Sequence, residues 1–158
     1  MNRLSIEKIF SPEEMTEKLT SSRDGKTVVF TNGCFDMLHP GHITCLEKAS
    51  EMGDLLVVGI NSDDSVRRLK GPDRPVFNEH ARARMVAALA CVDGVVIYSE
   101  DSPVNLIKQI KPDIDVKGSD YHEKPMPERE VVEAYGGKVV LVELDGDWST
   151  SGLLKRMR

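Results

Sequence analysis

Thr27-Val28-Val29-Phe30-Thr31 is a run of β-branched and aromatic residues, followed at once by Asn32-Gly33-Cys34-Phe35-Asp36-Met37-Leu38-His39-Pro40-Gly41-His42. The first part reads as a buried strand and the second as a polar, glycine-bearing loop that runs into a helix. The helix extends from about Gly41 to Met52 and Gly53 ends it; Ile43, Leu46 and Ala49 fall on one stripe. Leu55 to Ile60 is a second continuous apolar strand. Strand, helix and strand in immediate succession make a βαβ unit, with parallel strands and a right-handed crossover.

The same alternation continues outward from this unit. A short helix spans about Asp63 to Leu69, and a longer one about Glu79 to Ala90, where Ala81, Met85, Ala88, Leu89 and Val92 keep helical spacing. Val95 to Tyr98 is the third strand. Ser102-Pro103 starts a helix that Pro112 stops, and Asp113 to Lys117 is the fourth strand. A helix from about Glu128 to Tyr135 ends at Gly136-Gly137, Val139 to Glu143 is the fifth strand, and Ser149 to Met157 the last helix. Upstream, Ser11-Pro12-Glu13-Glu14 is a capping box with proline in the first turn. The pattern predicts an α/β fold: one Rossmann-like domain over residues 27–158, with a five-stranded parallel sheet and helices on both faces, preceded by a helical extension over residues 1–26.

Composition sets the outer limits. The chain has 158 residues, the length of one domain, and 40% are hydrophobic, enough for a core. Its net charge of −5 gives no basic footprint for nucleic acid, although anionic small ligands remain open to it. The longest apolar run, Leu55 to Ile60, is far short of a membrane helix, and the first residues lack the apolar region of a secretory signal. Cys34, Cys45 and Cys91 are too few and too scattered for a disulfide framework. The expected setting is the cytoplasm, with no membrane and no nucleic-acid partner.

Open parallel sheets bind ligands beyond the carboxyl ends of their strands. Four such ends carry polar and glycine-rich residues: Thr31 to His42, Asn61 to Asp64, Lys117 to Tyr121, and Asp145 to Ser151. The strongest signal is His39-Pro40-Gly41-His42, two imidazoles three residues apart where a helix starts. Helix N-terminal amides with two imidazoles make a donor-rich site for phosphate oxygens, and Gly41 allows close approach to the backbone. Phosphoryl and nucleotidyl transfer need this kind of positioning and charge stabilisation rather than a covalent nucleophile. The loop has neither the spacing of a Walker P-loop nor that of a dinucleotide fingerprint. Cys34, His39, His42 and Cys45 have a spacing that could mimic a zinc site, but Cys45 reads as a packing residue, and the expectation is no protein-bound metal. His80 and His122 read as structural or surface residues.

His39-Pro40-Gly41-His42 with Gly33-Cys34-Phe35-Asp36, and Trp148-Ser149-Thr150-Ser151 near the end, resemble the two signatures of the cytidylyltransferase-like nucleotidyltransferases. The whole set of motifs, including Asn61 to Gly71, Arg74-Pro75-Val76 and Val116 to Tyr121, is similar to the subfamily that adenylylates heptose 1-phosphate. The resemblance implies that His39, His42, Lys70, Arg82 and Thr150 are catalytic. It implies nucleotide contacts from Thr31, Asn32, Gly33, Cys34, Phe35, Gly41, Lys117, Gly118, Ser149 and Ser151. Sugar-phosphate contacts would come from Asp36, Asn61, Asp63 and Asp120. Mg²⁺ would enter with ATP, no dedicated protein cage being visible. The partners implied are ATP, a sugar 1-phosphate and a second copy of the chain in a homodimer. Ser119, Ser151 and Phe77-Asn78-Glu79-His80 depart from the subfamily pattern. A stand-alone transferase, without a kinase domain before it, is the expectation. Cytidylyl transfer to glycerol 3-phosphate or a related polyol phosphate, guanylyl transfer to heptose 1-phosphate, and a non-catalytic nucleotide-binding module are the alternatives.

Overall fold

The computed structural model describes residues 4–119, 124–144 and 146–158. The apolar runs become strands β2 (Val28–Gly33), β3 (Leu55–Asn61), β4 (Gly94–Tyr98), β5 (Ile114–Gly118) and β6 (Lys138–Val142). Helices α2 (Pro40–Ser50), α3 (Asp63–Lys70), α4 (Glu79–Ala87), α5 (Val104–Ile110) and α6 (Pro127–Ala134) connect them, and α7 (Thr150–Arg156) follows β6. Upstream lie a 3-10 turn (Ser5–Lys8), strand β1 (Ile9–Phe10) and helix α1 (Pro12–Ser22).

The sheet therefore has six strands rather than the expected five. The additional strand, β1, pairs in parallel with β4 through Ile9 opposite Val95 and Phe10 opposite Val96. Two residues are too few to display a period, so this strand has no sequence signature. The segment before Lys26 also supplies core: Met15 and Leu19 of α1 are buried against the sheet face that carries Val28, Phe30 and Val57. The Ser11 capping box forms as read, with the Ser11 hydroxyl accepting from Glu14 N at 3.1 Å and Glu14 Oε2 accepting from Ser11 N at 2.7 Å.

Strand order is β1-β4-β3-β2-β5-β6, all parallel. The chain builds outward from β2 through β3 to β4, then returns to the other side of β2 with β5. The direction of winding thus reverses between β2 and β5, and a crevice opens at that switch point. Side chains alternate across β2. Val29 packs with Leu46 and Ala49 of α2 and with Ala83, Val86 and Ala87 of α4. Val28 and Phe30 pack on the opposite face with α1, α5 and Val132 of α6.

Helix α4 differs from its sequence reading in phase and length. Its buried face holds Arg82, Ala83, Val86 and Ala87, while Ala81 and Met85 are only half-buried and Ala88 is exposed. An arginine in the buried stripe overrides the apolar count, because its guanidinium is anchored inside by three partners.

Candidate active site

The β2–α2 loop leaves the carboxyl end of β2 beside that switch point. Phe35 and Met37 both take left-handed backbone conformations, with φ of 48° and 56°. Such geometry is uncommon without glycine and persists only where the surroundings hold it. Here those holds are explicit. The Asp36 carboxylate, buried, accepts from Arg74 Nε at 2.9 Å, Val76 N at 2.8 Å and Phe77 N at 3.1 Å. Arg82, also buried, donates to Cys34 O at 2.6 Å, Phe77 O at 2.9 Å and Asp63 Oδ1 at 2.8 Å. From the other side the Thr150 hydroxyl donates to Asp36 O at 2.5 Å. The loop is thus clamped between α4, the 74–77 segment and the start of α7.

The two histidines meet at the N-terminus of α2. Their rings stack with centroids 3.7 Å apart and planes 21° from parallel, and the His42 ring lies 5.2 Å from Phe35. His42 Nδ1 accepts the backbone N–H of His39 at 3.3 Å, so in the neutral ring the proton sits on Nε2. His39 Nδ1 is buried and has no hydrogen-bond partner among the described residues. A Cβ on Gly41 would stand 3.1 Å from the His39 ring and 3.5 Å from Trp148 Cβ. Glycine therefore lets His39 fold back over the helix and brings the loop before α7 against it.

Burial pushes the His42 pKa down to about 4, His39 acts in the same direction, and Asp36 opposes both. Burial also lowers His39. Both shifts favour the neutral rings at physiological pH, in which each imidazole offers one N–H donor. His42 should accordingly stay neutral down to about pH 4 when its ring is titrated by NMR. The folded pKa lies below the ordinary value near ~6.5, so the unfolded chain takes up the proton first. The ring therefore favours unfolding as pH falls from about 6.5 towards 4, by about 3 kcal/mol at the limit. Urea unfolding at pH 7 and at pH 4.5 should show a larger acid loss for the native chain than for His42→Asn.

Lys70 is exposed at the end of α3, and it joins Arg82 and Arg74 in lowering the Cys34 thiol pKa against the stronger upward push of burial. Three cations thus gather around the loop of an acidic chain. Thr31, Asn32, Gly33, Asn61, Lys117 and Gly118 lie along the carboxyl ends of β2, β3 and β5. Several of these are engaged within the protein: Thr31 donates to Val116 O at 2.8 Å, and Lys117 lies 3.0 Å from Glu128 and 3.7 Å from Asp115. Asp63 opens α3 and holds Arg82. A ligand contact from Asp36, Asp63 or Lys117 would share or displace these partners. The Ser149 hydroxyl caps α7 by accepting from Gly152 N at 3.0 Å, and Ser151 is exposed beside it. Asp120 lies outside the described residues. Among the described residues no three His, Cys, Asp or Glu side chains are placed to hold a metal ion, and none of the helices is long and apolar enough to cross a membrane.

Two organising residues escaped the sequence reading. Arg74 secures Asp36, and its role was visible only as part of an Arg-Pro-Val motif. Tyr98 stands at the carboxyl end of β4, an end left out of the rim.

A family model described as cytidylyltransferase-like matches residues 30–149. The chain belongs to the cytidylyltransferase-like family, and with it to the nucleotidyltransferases. It is 53% identical over 135 residues to "Bifunctional protein HldE" of Syntrophotalea carbinolica, and 52% identical over 149 residues to the protein of that name from Gluconobacter oxydans. These matches cover 85% and 93% of the chain but only 28% and 31% of the relatives, so the chain spans less than a third of either. Among solved structures, a lipopolysaccharide core biosynthesis protein from Thermoplasma volcanium is 30% identical with a TM-score of 0.62, covering 79% of this chain and all of that one. A pantoate-beta-alanine ligase from Francisella tularensis, 17% identical with a TM-score of 0.64 over 91% of this chain and 69% of its own, shares the fold.

Proposed function

We propose that this nucleotidyltransferase transfers AMP from ATP to D-glycero-D-manno-heptose 1-phosphate, releasing pyrophosphate and ADP-heptose for lipopolysaccharide or other surface-glycan assembly. The stacked His39–His42 pair at the switch-point crevice carries the reading. The 52–53% identity to HldE proteins and the likeness to a lipopolysaccharide core biosynthesis protein support the acceptor.

An oxygen of the sugar 1-phosphate attacks the α-phosphorus of ATP in line. The new P–O bond forms as the bond from α-phosphorus to the bridging oxygen breaks, and pyrophosphate leaves with that electron pair. The attacking phosphate is already ionised at neutral pH, so no general base is needed. Catalysis rests on positioning and on donors aimed where charge grows. His39 and His42 supply those donors at the α-phosphate, and Lys70 reaches the phosphates from the end of α3. Thr150, with Ser149 and Ser151, faces the outer phosphates. Arg82 and Asp36 keep the loop in shape through the partners they hold within the protein. Mg²⁺ arrives as part of the Mg·ATP substrate.

A pyrophosphate-release assay over a grid of nucleoside triphosphates and sugar or polyol phosphates tests this reading. Release with ATP and heptose 1-phosphate is expected. Release with CTP and glycerol 3-phosphate alone, or with GTP and the heptose, would replace donor or acceptor. Nucleotide binding without release would make the chain a binding module.

A further inference from the structure

Five side chains from five elements form one hydrogen-bonded line along the carboxyl edge of the sheet. Lys117 Nζ of β5 donates to Asn32 Oδ1 of β2, and Asn32 Nδ2 donates to the Tyr98 hydroxyl of β4 at 3.0 Å. The Tyr98 hydroxyl donates to Asn61 Oδ1 of β3 at 3.0 Å, and Asn61 Nδ2 donates to Ser65 Oγ of α3 at 3.0 Å. Ser65 closes the line by donating to Glu100 O at 3.1 Å.

Every donor along this line points the same way, and the cause is Lys117. An ammonium only donates, so it fixes the carbonyl end of the Asn32 amide towards β5 and the NH₂ end towards Tyr98. The Tyr98 oxygen is thereby an acceptor on one side, and its proton must go to Asn61. Bonds aligned in this sense polarise one another in a buried setting. Tyr98, 4% exposed, belongs to β4, yet it reaches across β3 to a side chain of β2. Gly59 of β3 opens that passage: a Cβ there would stand 3.2 Å from a Tyr98 ring carbon and 2.9 Å from Phe30.

We propose that the Tyr98 hydroxyl is a positioning group that joins Asn32 to Asn61 and so fixes the nucleotide side and the sugar-phosphate side of the site relative to one another. The proposal rests on the functional reading above. Tyr98 acts through the two amides. Without its hydroxyl, Asn32 Nδ2 and Asn61 Oδ1 each lose a fixed partner, and both amides gain rotational freedom at the rim.

Steady-state kinetics and thermal melting of the protein and its Tyr98→Phe variant test this. The ring and its packing are kept, so the melting temperature should fall by only a few degrees. KM should rise about fivefold for both ATP and the sugar 1-phosphate, the loss of about one hydrogen bond, while kcat stays within about twofold. KM values within about twofold of the unsubstituted protein for either substrate, or a fall confined to kcat, would overturn the proposal and leave the functional reading standing. Failure of the unsubstituted protein to release pyrophosphate from any triphosphate would overturn that reading, and this proposal with it.

Discussion

His42→Asn is expected to lower kcat by about 10²–10³-fold while leaving the fold intact, the loss typical of one donor aimed at a developing charge. Asparagine is chosen because its Oδ1 falls close to the position of the imidazole Nδ1. It can still accept the backbone N–H of His39, which His42 now does at 3.3 Å, so the turn that opens α2 keeps its closure. What disappears is the Nε2 donor and the stacking with His39 at 3.7 Å. Single-turnover measurements at saturating Mg·ATP and sugar 1-phosphate read the chemical step without the binding step. Near-normal turnover there would remove His42 from the chemistry.

Arg82→Met should destabilise the protein by about 3 kcal/mol and abolish most activity, because the guanidinium serves three acceptors inside the protein. Methionine fills similar space without donors. It leaves the Cys34 and Phe77 carbonyls and the Asp63 carboxylate without the guanidinium that now serves all three. The carbonyls need partners in the interior, and an acid whose cation is removed is costly even when a quarter of its side chain remains exposed, as for Asp63. Arg82→Lys should rescue little, because one ammonium cannot span three acceptors in a planar fork. Urea unfolding measures the loss; a change below about 1 kcal/mol for Arg82→Met would show that the clamp is not what holds the loop.

The largest part of the fold was legible because parallel strands buried on both faces read as unbroken apolar runs. Leu55–Asn61 and Gly94–Tyr98 differ from their sequence bounds by one residue each. Strand β1 was illegible because two residues contain no period, and its place is decided by pairing with Val95 and Val96 far along the chain. Strand order was equally hidden. The sequence shows alternation but not which side of β2 receives β5, and that choice creates the crevice. Within the site, the two histidines, the glycine between them and the Ser149 cap could be read locally, since each acts within one turn of helix. The roles of Asp36, Arg82 and Tyr98 could not. Each depends on partners 38, 48 and 66 residues away, at Arg74, Cys34 and Asn32. The phase of α4 was misread for the same reason: an arginine is counted as a surface residue until its interior acceptors are known.

The central claim is that one triphosphate lies between the imidazoles that open α2 and the Ser149–Ser151 segment that opens α7. A crystal structure of the protein with Mg²⁺ and an ATP analogue whose α–β bridge resists cleavage tests it most directly. The account predicts an α-phosphate oxygen within hydrogen-bond distance of His39 or His42, and outer phosphates of the same molecule against Thr150 or its neighbours. An analogue seated away from the histidines, or one touching them with its phosphates turned from α7, would contradict it.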